Sequence, residues 1–212
     1  LLQGWSVSVR IEVFGNSECQ RATLISLQLL VLAILITLVL LLPIAALVEI
    51  RAPRLRTTMT AITLLPWVVP PVALVVGVAA TFRSTVPWFL ASPYSLVPFY
   101  VLWALPFSYR ALDAGLRSIG ARTLYEAARV MGASTFTIIV RVLIPNMIGA
   151  IIAASVLTAA LVLGEFAFAA LLLKETLPPF MAEFQRSEPR AGMALALVVM
   201  LPAALGLAMI NR

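Results

Sequence analysis

Histidine is missing from the 212 residues, cysteine occurs once, as Cys19, and lysine once, as Lys174. No internal disulfide, Cys/His metal centre or His-based catalytic dyad can be assembled from such a set. Lys174 follows a run of leucines rather than a Gly-rich turn. A phosphate loop of the Walker A kind is therefore excluded, and with it ATP hydrolysis by this chain. The catalytic and metal-ligand sets are both empty, so the chain is expected to be no enzyme and to hold no cofactor of its own.

Charge is also sparse. Only 11% of the residues are charged and 62% are hydrophobic, against about 25% and 45–50% in soluble domains. The formal net charge of +6 could suit nucleic acid. The Arg residues, however, stand beside hydrophobic runs, with no basic stripe interleaved with aromatics, and they read as topology determinants. An all-α, polytopic membrane helical bundle of one domain is expected, embedded in a lipid bilayer and with no nucleic-acid partner. No secretory cleavage pattern marks the start, and the lack of an initiating Met leaves room for an upstream portion.

Residues 1–21 mix Trp5, Phe14, Gly15 and Asn16 with charges and are read as an extramembrane lead-in, the domain proper covering 22–212. Leu24 to Val48 is apolar for more than the roughly 20 residues needed to cross a bilayer. Arg51, Arg54 and Arg56 follow and mark a cytoplasmic loop. Thr60 to Phe82 is the second span, interrupted by Pro66, Pro70 and Pro71. Each proline removes a backbone donor and bends the helix, either to line a pore or simply to pack. Arg83 to Tyr94, with Pro87, Trp88 and Pro93, forms a short outer loop. Ser95 to Leu112 is the third span, bent by Pro98 and Pro106. Asn146 to Leu173 and Gly192 to Ile210, the latter with Pro202, complete about five transmembrane helices, with Lys174 to Arg190 an outer loop of mixed charge. This topology places the first residues outside and Arg212 in the cytoplasm.

The remaining segment, 113–145, carries Arg117, Arg122, Arg129 and Arg141 and agrees in sidedness with the Arg cluster two crossings earlier. Within it Thr123 and Glu126 have capping-box spacing, which predicts a helix start there. Gly132 can end that helix in the left-handed conformation, and Ser134 or Thr135 can cap the next. Phe136, Ile139, Val140 and Leu143 then share a face, until Pro145 restricts Ile144 and forces a new start.

Glu126-Ala127-Ala128, three residues, Gly132, nine residues, then Val142-Leu143-Ile144-Pro145 resembles the EAA loop of permease subunits of binding-protein-dependent ABC importers. That signature reads EAA, three residues, G, nine residues, I, any residue, LP; Val142 and Ile144 are conservative departures from it. Leu65 to Pro71 is also similar to the corresponding segment of the family. The resemblance implies that this loop is a cytoplasmic coupling helix docking on an ATPase subunit. Glu126 and Arg129 would frame the small Ala127 and Ala128, Gly132 would set the turn and Pro145 would end the loop. Glu126 and Arg129 could alternatively just pair with each other.

The same resemblance implies a bacterial or archaeal plasma (inner) membrane permease. Its partners would be a second permease subunit (same or related), two ATPase subunits that bind ATP and Mg, and an extracytoplasmic solute-binding protein. The family usually carries one more span ahead of Leu24. Glu165, the acidic residue inside the fourth span, is expected either to line the translocation pathway with Pro70 and Pro71 or to form a structural pair with an Arg. Gly164, Ala167, Ala169 and Ala170 around it would allow close helix packing. Phe107 to Ile119 and Leu163 to Phe166 look like the polyamine branch, with ferric iron, sulfate and phosphonate permeases similar. Sugar permeases often place an Asp where Met131 stands. A stand-alone secondary transporter or channel is the rival class; it would show more buried ionisable groups and a repeat of its broken helices.

Overall fold

In the computed structural model, residues 17–187 and 192 are described, and every regular element among them is helical. We number the helices α1 (Ser17–Arg51), α2 (Arg56–Val68), α3 (Pro71–Thr85), α4 (Pro87–Ala91), α5 (Val97–Ser118), α6 (Ala121–Val130), α7 (Thr135–Asn146), α8 (Ile148–Gly164), α9 (Ala167–Leu171) and α10 (Leu177–Ser187). Single 3-10 turns at Pro53–Leu55 and Pro93–Leu96 lead into α2 and α5. The fifth predicted span, Gly192 to Ile210, and residues 1–16 of the predicted lead-in lie outside the described residues. Ser17 to Arg21 of that lead-in are already helical and open α1.

Among the described residues, α1 alone is long and apolar enough to cross a membrane unaided, while two broken pairs, one ending in α3 and the other in α8, reach that length if each counts as one span. Buried residues on α1 recur every three or four positions as Cys19, Ala22, Ser26, Leu29, Ala33, Thr37, Leu41, Ala45 and Val48. The stripe is mostly small side chains, as helix contacts in lipid require, where close backbone approach replaces the hydrophobic drive. Its other faces carry exposed Leu24, Val31, Leu35 and Val39.

The predicted second span is not one bent helix but two. The first helix ends at Val68, Val69 is a bend before Pro70, which is extended (φ −56°, ψ 138°), and Pro71 then opens α3. The fourth span is divided as well: α8 ends at Gly164, Glu165 and Phe166 leave the helix, and α9 restarts at Ala167. Ser95 to Leu112, the predicted third span, falls within the 3-10 turn and α5. That helix continues past Leu112 to Ser118, so the first residues of the 113–145 loop are helix.

The chain divides into two compact units. One contains Val69–Tyr100, the residues up to Leu32 and those from Ala159 onward. Within it Phe99 and Phe168 stack 5.1 Å apart, and the Ser26 hydroxyl accepts from the Leu177 amide at 2.8 Å. Lys174 donates to the carbonyls of Leu90 and Ala91, and Tyr94 donates to the Gln28 side chain at 2.9 Å.

The other unit contains Ala33–Val68 and Val101–Thr158. Leu41, Ala45 and Ile50 of α1, Tyr109, Leu112 and Leu116 of α5, Ile138 and Leu143 of α7, and Met147 and Ala154 form its core. Ser108 and Thr158 hydroxyls meet at 2.9 Å inside it. Gly115 allows α5 to touch α8: a Cβ built there would lie 2.2 Å from the Cβ of Ala150. Gly115→Val should therefore lower the thermal midpoint of the detergent-solubilised protein, an overpacking penalty of about 1–3 kcal/mol. Gly149→Ala, where a Cβ meets nothing within 4 Å, should leave that midpoint in place in the same thermal scan.

Candidate functional site

The turn from α5 into α6 is made by Gly120, whose φ of +61° reverses the chain without a side-chain cap. The helix consequently starts at Ala121, and the expected capping box does not form: Thr123 lies inside the first turn, and Glu126 bonds Arg122 (3.0 Å) instead of reaching back to an amide. Glu126 does not pair with Arg129 either. Arg129 donates from Nη1 to the Ala133 carbonyl at 3.0 Å, closing the end of α6. Both interactions are exposed and contribute little to stability.

Gly132 has the left-handed φ (+85°) expected of it, and the amide of Ala133 bonds back to the Ala128 carbonyl, as in a helix ended by a C-terminal glycine. The side chain of Ser134, rather than Thr135, caps α7 by accepting from the Thr137 amide at 3.1 Å. Thr135 is used elsewhere. Its hydroxyl accepts from Arg51 at the end of α1 and meets the Tyr125 hydroxyl, each at 3.1 Å. The bond to Thr135 draws the Tyr125 phenol below its ordinary pKa, and the Arg51 and Arg129 charges act the same way.

The predicted apolar face of α7 is wrong in part. Ile139 and Leu143 do face the core, but Phe136 is 77% exposed and Val140 is also exposed, whereas Ile138 is fully buried. A π turn over Ile139–Leu143 accounts for Val140, though not for Phe136, which precedes it. In that wider turn residues five apart, here Ile138 and Leu143, take the same side. The π turn also absorbs Pro145, so Ile144 remains helical (φ −55°, ψ −48°) and is not forced to be extended. Asn146 donates its side-chain amide to the Val142 carbonyl at 2.7 Å. The new start comes two residues after Pro145, at Met147, where α7 and α8 meet at 78°.

The 121–146 hairpin is therefore two-faced. Ala121, Ile138 and Leu143 are buried in the core, with Leu124, Tyr125 and Ala128 packed against it. Arg122, Glu126, Ala127 and Arg129 face outward, and with them Val130 and Met131, each 88% exposed, and Phe136. Ala127 and Ala128 thus lie on different faces, one outward and one half-buried. The exposed apolar group was not anticipated; its signal was Val130 and Met131 standing immediately before a turn glycine on an otherwise polar helix.

A charged cluster lies beside the hairpin's base. Arg56 bonds Glu49 and also Asp113 (2.9 Å), and Arg117 holds the second oxygen of Asp113 at 3.1 Å. These contacts tie α1, α2 and α5 together, so Arg56 and Arg117 serve as more than markers of sidedness. They border an open cavity of about 600 Å³.

The residues expected to line a pathway, Pro70, Pro71 and Glu165, stand at helix breaks. Pro70 and Pro71 form the break before α3. Glu165 is at the break after α8, buried, and its Oε1 accepts from the Phe168 amide at 2.9 Å, so that it caps α9. Its Oε2 has no hydrogen-bond partner among the described residues. No Arg pairs with it there. Gly164 makes no close approach, since an added Cβ would meet nothing within 4 Å, while Ala169 is fully buried.

The methionine import system permease protein MetP of Bacillus subtilis (strain 168) is 36% identical over 80 residues, 38% of this chain and 36% of that protein. The alignment thus spans about a third of that relative's length. The model of one family matches residues 42–211, most of the sequence. The chain belongs to the family of binding-protein-dependent transport system inner membrane components.

Proposed function

We propose that this chain is the permease subunit of an ATP-driven importer, crossing the membrane several times and enclosing part of a solute pathway. It would pair with a second permease subunit, the same or related, and work with two ATPase subunits and an extracytoplasmic solute-binding protein. The family match over residues 42–211 carries this reading. ATP and Mg belong to the ATPases, and this chain supplies no catalytic group.

The 121–146 hairpin is the surface we assign to the ATPase. Val130, Met131 and Phe136 form an exposed apolar centre with Arg122, Glu126 and Arg129 around it, the composition of a protein interface with a polar rim. A push on that surface would reach α1 through Arg51 and Thr135, α5 through the Gly120 turn and α8 through the core side of α7. Closure of the ATPases would in this way rock the spans between outward and inward access.

We place the solute among small amine-bearing compounds. The Phe107 to Ile119 and Leu163 to Phe166 segments resemble the polyamine branch, whereas the MetP relative is named for methionine import; an ammonium group is common to both. The unbonded oxygen of Glu165 would meet that ammonium, with the Pro70 and Pro71 break shaping the pathway.

Val130→Asp should leave the amount of protein in the membrane unchanged and weaken copurification of the ATPase roughly tenfold, as loss of a central interface anchor does. Gly132→Asp should lower transport per ATP hydrolysed in reconstituted vesicles; an unaltered ratio would remove the hairpin from the coupling path. Glu165→Gln keeps an acceptor for the Phe168 amide and removes the charge, while Glu165→Ala removes both. Uptake should fall in both variants, with thermal stability lower by about 1 kcal/mol only in the Ala variant; full uptake by the Gln variant refutes the pathway role. Native mass spectrometry of the cognate solute-binding protein should find an amine-bearing ligand, and a sugar or an oxyanion there would overturn the solute class.

A further inference from the structure

The cavity beside the hairpin's base is lined by Arg56, Thr57 and Leu64 of α2 and by Arg110, Asp113 and Arg117 of α5. Its charges do not cancel. Glu49 and Asp113 are both engaged by Arg56, and Asp113 also holds Arg117. Arg110 opens onto the same space, exposed and without a hydrogen-bond or ion-pair partner among the described residues. Three guanidiniums face two carboxylates, leaving one positive charge unmatched. The Thr57 hydroxyl, likewise unpartnered, adds a neutral donor on the opposite wall.

Away from the charged end the walls turn apolar. Arg56, Thr60, Leu64 and Trp67 follow one face of α2 at helical spacing, and Arg117, Ala114, Arg110 and Phe107 follow one face of α5. Trp67 stacks on Trp103 at 4.3 Å and meets Phe107 edge-on at 5.3 Å. Leu64, Trp67 and Phe107 are all exposed along this line. From Arg56 to Trp67 the helix rises about 16 Å. A guanidinium end followed by a hydrocarbon wall is the complement of an amphiphile with an anionic head.

We propose that this cavity binds the headgroup of an anionic phospholipid, its phosphate on Arg110 and Thr57 and its acyl chain along Leu64, Trp67 and Phe107. A phosphodiester carries one negative charge, which matches the unmatched guanidinium and accepts from it in a charge-assisted bond. A zwitterionic headgroup would add an ammonium to a cluster already positive and is disfavoured. Free phosphate would satisfy Arg110 but leave the apolar wall bare. The proposal rests on the chain's lying in a bilayer and not on the solute it carries.

The test uses the full chain, purified in detergent with its ATPase partner and exposed to equal amounts of phosphatidylglycerol and phosphatidylethanolamine before native mass spectrometry. Phosphatidylglycerol should be retained several-fold over phosphatidylethanolamine, and Arg110→Glu should bring the two to parity. Equal retention by the wild type, or an unchanged preference in the variant, overturns the site. Inorganic phosphate in excess should leave the retained lipid in place; complete displacement would identify a free-phosphate site and overturn the lipid assignment. Arg110 holds no partner, so its replacement leaves the Glu49, Arg56, Asp113 and Arg117 contacts intact. Should that variant not accumulate, the wild type decides the matter: retention must fall as salt is raised, and retention that survives high salt refutes the proposal.

Discussion

In hydrocarbon no water is present to satisfy a backbone group that has lost its helical partner, and each such group left bare costs several kcal/mol. The structure is arranged around that constraint because its helices are broken so often. The break after α8 is filled by Glu165, which accepts the Phe168 amide. The turn before α8 has Asn146 bonded to the Val142 carbonyl. Such side chains make irregular backbone affordable in lipid, and irregular backbone is where helices can change direction.

The hairpin solves a different problem: how a polar segment is held at a fixed angle on an apolar bundle. Its inner side is continuous with the core through Ile138 and Leu143, and its entry and its central turn are set by two positive-φ glycines, Gly120 and Gly132. Arg51 fastens it to the end of α1. The charged cluster of Glu49, Arg56, Asp113 and Arg117 performs the same fastening for α2 and α5. Half-buried ion pairs of this kind contribute more to defining one arrangement than to net stability.

Much of this could be read from the residues. Composition points to an apolar helical membrane protein, prolines mark the breaks, and Gly132 and Ser134 take the conformations their chemistry suggests. What escaped sequence reading was mostly register and pairing. The π turn puts Ile138 in place of Val140 on the side of Leu143, and no periodicity argument with a fixed 3.6-residue repeat can foresee one wider turn. Gly120 displaced the helix start from Thr123 because a left-handed residue redirects the chain without needing a capping hydroxyl. Glu165 was expected inside a continuous span, yet Gly164 and Phe166 end the helix around it. The Arg56 cluster joins residues far apart in the chain, and such contacts have no local signal.

The π turn of α7 also bears on how tightly the distance along the chain is constrained. Between Gly132 and Pro145 the backbone behaves as a screw whose pitch changes for one revolution. Removing one residue inside the turn would give uniform pitch and keep everything downstream in phase, whereas removing one elsewhere in α7 would rotate the downstream residues by about 100°. Chain length in this stretch is a phase setting, and the π turn is the place in α7 where loss of one residue leaves that phase unchanged.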